Sequence, residues 1–264
     1  MRQYREQRRS RASGWCRRVA AFAGVLGMVV WTGHHFGLVE TLGYLWVLAL
    51  VALLAAFSLI LAAFAFSRVW TFGDSGGRDV AFGVIFALLV LSPYGVVAYL
   101  MLTEPPLQAV TTDAENPPAL PTATGRTGSM NALLPQSPGE QRLQAQHYPL
   151  VTGRRYQLPF DETLAAVQTV LARQGWKQVE GPDADAEDAG EATIGAVAPS
   201  FILDLPADVS IRVTADDDDA TLVDMRSASR YGRHDLGDNA RRITAFLAEL
   251  DQQVAGLVGA AAAQ

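Results

Sequence analysis

The stretch Asp208–Arg226, DVSIRVTADDDDATLVDMR, decides the fold of the C-terminal half of this 264-residue chain. Val209, Ile211 and Val213 alternate with Ser210, Arg212 and Thr214, the period-two pattern of a half-buried strand. Val223 and Met225 alternate with Asp224 and Arg226 as its partner strand. The run Asp216–Asp219 between them reads as a solvated turn. It lacks the alternating aspartates and terminal glutamate of a calcium loop.

Working outward, Ala192–Ala198 and Phe201–Leu205 are apolar enough for a further strand pair, and Trp176–Val179 reads as another strand. Phe160, Leu164, Val167 and Leu171 form one helical stripe, with Asp161 as N-cap and Gly175 as its stop. Ile243, Phe246, Leu247, Leu250 and Val254 form a second, capped by Asp238 or Asn239. Successive strands without intervening helices imply an antiparallel sheet with two helices on one face, an α+β domain over residues 150–258.

The N-terminal half has a different composition. Val19–Phe36, Leu42–Phe66 and Val80–Leu102 are uncharged apolar runs of 18, 25 and 23 residues. A helix of ~20 residues crosses the hydrocarbon, so residues 19–102 read as an α-helical membrane anchor of three transmembrane helices in the lipid bilayer. Seven arginines precede the first run, and Arg68 and Arg78 lie between the second and third. Only Glu40 lies in the other loop. Basic residues stay on the cytoplasmic side, which makes 1–18 a basic cytoplasmic N-terminus and sends everything after Leu102 across the membrane. Trp15 and Trp70 fit the inner interface, and Trp31, Tyr44, Trp46 and Tyr99 the outer one. No charged residue lies inside any of the runs, which argues against ion or proton translocation. Residues 103–149, with eight prolines, have the composition of an extended linker. The lone Cys16 leaves the C-terminal half without disulfides.

A resemblance becomes specific along this half. TTDAENPP (Thr111–Pro118), GEAT (Gly190–Thr193), DVSIRV (Asp208–Val213) and VDMRSASRYGRHDLGDNARRI (Val223–Ile243) together resemble the domain of unknown function 1499 family over roughly residues 107–250. The last motif is long and specific. The resemblance implies a bacterial or plastid setting, often behind a few transmembrane helices, and makes Thr111–Pro118 a domain edge rather than free linker. Where the family carries paired aspartates this chain has Ala207–Asp208, and a normally glycine-rich turn is Asp216–Asp219. The implied location is a bacterial inner membrane, multi-pass, with a periplasmic C-terminal domain. The family brings no established activity.

Residues 104–264 hold 12 Lys+Arg against 23 Asp+Glu, which argues against nucleic acid as a partner. Within them, Asp224–Ile243 concentrates Arg226, Arg230, Arg233, Arg241 and Arg242. Its ordinary reading is pinning by internal ion pairs, with Arg212, Asp224 and Arg226 sharing one row across the hairpin. The functional alternative is an anion site, because guanidinium forks suit carboxylates and phosphates. Arg230 and Arg233, with no acidic residue before Asp235, are its candidates, joined by Ser227, Ser229 and Asn239 near a helix N-terminus. The leading expectation is therefore a tethered domain that binds a membrane or periplasmic partner or a small anion. A hydrolase acting on envelope material, using Ser227 or Ser229 with His234 and Asp235, is the alternative. It lacks a nucleophile elbow, and adjacent His–Asp pairs seldom orient one another. A structural subunit of a membrane complex is a third reading. Nothing calls for a cofactor, and the adjacent His34 and His35, with only His147 and His234 elsewhere, leave a metal site few partners.

Overall fold

The computed structural model describes residues 11–72, 75–121, 126–182, 186–216 and 220–262. The chain divides into two compact units, Met1–Tyr99 and Leu100–Gln264. The arginines before residue 11 and the aspartates at 217–219 lie outside the described residues.

The first unit is helical: α1 (Arg11–His35), α2 (Thr41–Phe72) and α3 (Gly77–Thr103). Two of these, α2 and α3, are long and apolar enough to cross a membrane. The expected first span, Val19–Phe36, is helical to His35 but does not meet that measure. Trp31, Thr32, His34 and His35 dilute its C-terminal half, and Arg11, Arg17 and Arg18 sit in its first two turns. Small residues let the helices approach: Ala23 of α1 and Ala55 of α2 are buried together with Val51. Ser58 Oγ donates to Cys16 O at 2.8 Å. Arg17 meets Asp79 of α3 at 2.8 Å, so α1 and α3 start at the same end of the unit. Tyr44 is buried and stacked on His34.

In the second unit the elements run β1 (Ala109–Thr111), α4 (Pro138–His147), β2 (Arg154–Tyr156), α5 (Phe160–Gln174), β3 (Lys177–Glu180), α6 (Ala186–Ala189), β4 (Glu191–Pro199), β5 (Pro206–Asp216), β6 (Ala220–Ser229) and α7 (Asp238–Ala262). All strands pair antiparallel, in the order β1-β6-β5-β4-β3, with β2 on the same side of β6 as β1. The hairpin register sets Arg212 opposite Asp224 and Ser210 opposite Arg226. One sheet face carries Ile194, Val209, Ile211, Val213, Val223 and Met225. It packs with Val167 and Leu171 of α5 and Ile243, Phe246 and Leu250 of α7 in one core. Burying each such side chain contributes ~1.5–3 kcal/mol, which explains why both helical stripes face the same way.

Three local expectations change. Phe201–Leu205 is a tight loop, not a strand: Ser200 N donates to Leu205 O, and Asp204 sits at φ 54. Asp161 lies in the first turn of α5, whose N-cap is Pro159; Gly175 does end it, in the left-handed region at φ 66. At the start of α7 the capping carboxylate is Asp235, which accepts from Gly237 N and Asn239 N at 3.0 Å each. Residues 103–149 are also more than linker. Leu107 and Val110 are fully buried. Gln144 of α4 accepts from Thr111 N and donates to Thr111 O, so an amide side chain completes the edge strand as a neighbouring strand would.

Candidate functional site

The second sheet face is polar, and it organises the candidate site. Even-numbered positions of β5 and β6 place Asp208, Ser210, Arg212, Asp224 and Arg226 on it. Arg212 reaches Asp113 at 3.0 Å and Asp224 at 3.2 Å. Thr112 Oγ1 donates to Asp224 Oδ1 at 2.8 Å, so the segment after β1 is tied to the same carboxylate. Backbone N–H groups of Asn116 and Glu115 and the Arg212 guanidinium hold the Asp113 carboxyl below its ordinary range.

Arg226 and Arg230 occupy settings that differ from the sequence expectation. Arg226 makes no ion pair among the described residues; its guanidinium donates to Leu134 O at 3.0 Å, and burial lowers its pKa. Arg230, expected free of acidic neighbours, is buried and bound to Asp208 at 2.7 Å. Asp208 also takes Arg126 from the loop that follows β1. The physical reason lies in register: Asp208 pairs with Ala228, one diagonal step from Arg230 on the same face. Ala207, where the family pattern has its other aspartate, is buried on the helix-facing side.

Ser227, Ser229 and Asn239 point the other way, into a network below α7. Ser227 Oγ donates to Asn239 Oδ1 at 2.8 Å, and Arg242 donates to both at 3.0 and 2.9 Å. Asn239 Nδ2 donates to Gln108 O and Ser229 Oγ. Arg242 also reaches Pro199 O and lies 3.6 Å from Asp238; burial pushes its pKa down. These three polar residues are thus brought together with Arg242, but not with Arg230. Arg233 is exposed.

The hydrolytic constellation does not assemble. Leu236 N donates to His234 Nδ1 at 3.0 Å, which places the ring proton on Nε2, beside Glu104 O at 3.1 Å. Both ring nitrogens are spent on backbone, leaving no base for a serine. Asp235 is occupied with the α7 amides, and its burial raises the carboxyl pKa.

A cavity of about 240 Å³ opens beside Arg226, lined also by Leu120, Leu133, Leu134, Gln136 and Glu140. Gln136 Nε2 donates to Ala109 O and Gln144 Oε1, while Gln136 Oε1 is buried without a partner. Sequence reading missed Asp208, Arg126, Gln136 and Arg242 as members of these groups. Extending the hairpin register from the acidic turn would have found Asp208; the loop residues left no local signal.

A wider group, about 540 Å³, lies between Trp176, Phe201, Arg241 and Arg242, but there Arg241 and Arg242 already share Asp238. Comparison with curated proteins and with solved structures gave no match. A family model does match, over residues 109–250, more than half of the chain, and it covers the sheet, α5, the first half of α7 and most of the lining of the cavity beside Arg226. The chain belongs to the family described as Protein of unknown function (DUF1499).

Proposed function

We propose that this protein is a membrane-anchored binding module rather than a hydrolase. In this reading α1 crosses the bilayer with α2 and α3, which gives an odd number of crossings. The arginine-rich N-terminus then stays in the cytoplasm of a bacterial cell and the α+β domain faces the periplasm. The shared end of α1 and α3, marked by Arg17 and Asp79, supports this up-down-up path. There the domain binds a small anionic ligand, or a partner presenting one.

The observation that carries the binding half is the accounting of charge on the polar sheet face. Arg212 and Arg230 each have a carboxylate within 3.2 Å, and among the described residues Arg226 has none. Proteins rarely leave a buried cation uncompensated unless another species meets it. The serines and histidine that hydrolysis would use are all committed to neighbours. Two measurements test the reading. A reporter fused after Gln264 should be active only outside the cytoplasm. Titration calorimetry of the full chain in detergent micelles, against a panel of small carboxylates and phosphate esters, should show saturable binding without turnover. Cytoplasmic reporter activity would overturn the orientation, and a panel with no binder would overturn the anion reading in favour of a structural subunit.

A further inference from the structure

We infer that the cavity beside Arg226 is a site for a small monocarboxylate that also carries a hydrogen-bond donor, the chemistry shared by hydroxy acids and amino acids. This rests on the binding-module reading and assigns it a place and a ligand class.

Size limits the ligand first. About 240 Å³ lies below the ~300–1,000 Å³ of drug-sized ligand pockets, which suits a small ligand. Charge limits it next. One guanidinium and one carboxylate, Arg226 and Glu140, line the cavity, so the lining is neutral in sum. A monoanion satisfies the arginine. A dianionic phosphate would bring a second negative charge toward Glu140 with no cation to meet it.

Hydrogen bonding completes the description. Arg226 is 9% exposed and uses its guanidinium on one acceptor, Leu134 O. A guanidinium has five N–H donors in a fixed fork, so a bidentate edge remains for a carboxylate. Ser210, directly opposite Arg226 in the β5–β6 register, is fully buried, and its Oγ has no partner. It shares the sheet face of Arg226 but does not line the cavity. Gln136 supplies the opposite preference. Its amide nitrogen is committed to Ala109 O and Gln144 Oε1, which fixes the orientation and leaves Oε1 as a buried acceptor. A hydroxyl or ammonium on the ligand meets that atom, and Glu140 favours the ammonium. Leu120, Leu133 and Leu134 leave room for a short apolar body between the two ends.

The test is calorimetric titration of the full chain in non-ionic detergent with lactate, alanine, acetate and inorganic phosphate. Lactate or alanine should bind about tenfold or more tighter than acetate, the worth of one hydrogen bond to Gln136, and phosphate should give no saturable heat. Arg226→Met should abolish binding. Gln136→Leu should reduce lactate and alanine to the affinity of acetate while leaving acetate unchanged. Alanine ahead of lactate identifies an ammonium ligand, and the reverse a hydroxy acid. Absence of binding by both, or phosphate binding more tightly than either, overturns the ligand class. Binding that survives both substitutions removes the site from Arg226 yet leaves the binding-module reading standing.

Discussion

Asp208→Asn should destabilise the C-terminal unit more than any other conservative carboxylate-to-amide change. The Asp208 side chain is 1% exposed and holds two guanidiniums, Arg230 at 2.7 Å and Arg126 from the loop after β1; their side chains are 8% and 16% exposed. Asparagine fills the same space but removes the only negative charge of the three. Two cations are then left beside one another with little solvent. Removing one partner of a buried pair costs ~3–5 kcal/mol. For a unit of this size each kcal/mol moves Tm by ~2–4 °C, so a fall of ~6–20 °C is expected. The assay is differential scanning calorimetry of the full chain in micelles, with Asp204→Asn as control, because asparagine is at ease at φ 54. Adding Arg230→Met to Asp208→Asn should recover part of the loss by removing one orphaned cation. A fall under ~2 °C, or equal to that of the control, would refute the view that Asp208 anchors this face.

Other perturbations follow from the same geometry. The Asp235 carboxyl pKa is raised by burial, so its contribution to stability is full below its unfolded value near ~4 and is lost as pH rises through the folded value. The Tm of Asp235→Asn minus that of wild type should therefore grow from about pH 4 to pH 7; a flat difference contradicts the desolvated carboxyl. Gly237 sits at φ 74, and a Cβ there would stand 2.8 Å from the Glu104 carboxyl carbon. Gly237→Ala should cost ~1–3 kcal/mol in denaturant titration, and no change would mean that Glu104 swings away freely.

Legibility from sequence followed the range of the forces involved. Apolar runs, the alternation in β5 and β6 and the stripes of α5 and α7 are local periodicities, so they were readable. Phe201–Leu205 has strand composition but turns because Asp204 adopts a left-handed conformation, a choice made by the β4–β5 connection rather than by apolar content. The 103–149 segment reads as linker because its prolines and glutamines dominate the count. Its role rests on Gln144 imitating a strand partner for Thr111, which no composition reveals. On the candidate site, Arg212 and Asp224 face each other because they are close across one hairpin. Arg226 and Arg230 depend on Leu134, Asp208 and Arg126, which only the folded chain brings near them.

The central claim is that Arg212 and Arg230 of the polar face each meet a carboxylate and that Arg226 is left for a ligand. Replacing Arg226 and Arg230 separately by methionine tests it most directly, through the Tm of the ligand-free full chain. Arg226→Met removes a buried cation without a carboxylate and should leave Tm unchanged or raise it by a few degrees, whereas Arg230→Met removes one of the two guanidiniums that hold Asp208 and should lower it by ~3 °C or more. Equal, large falls for both substitutions would show that Arg226 is a scaffold residue like Arg230 and would contradict the account.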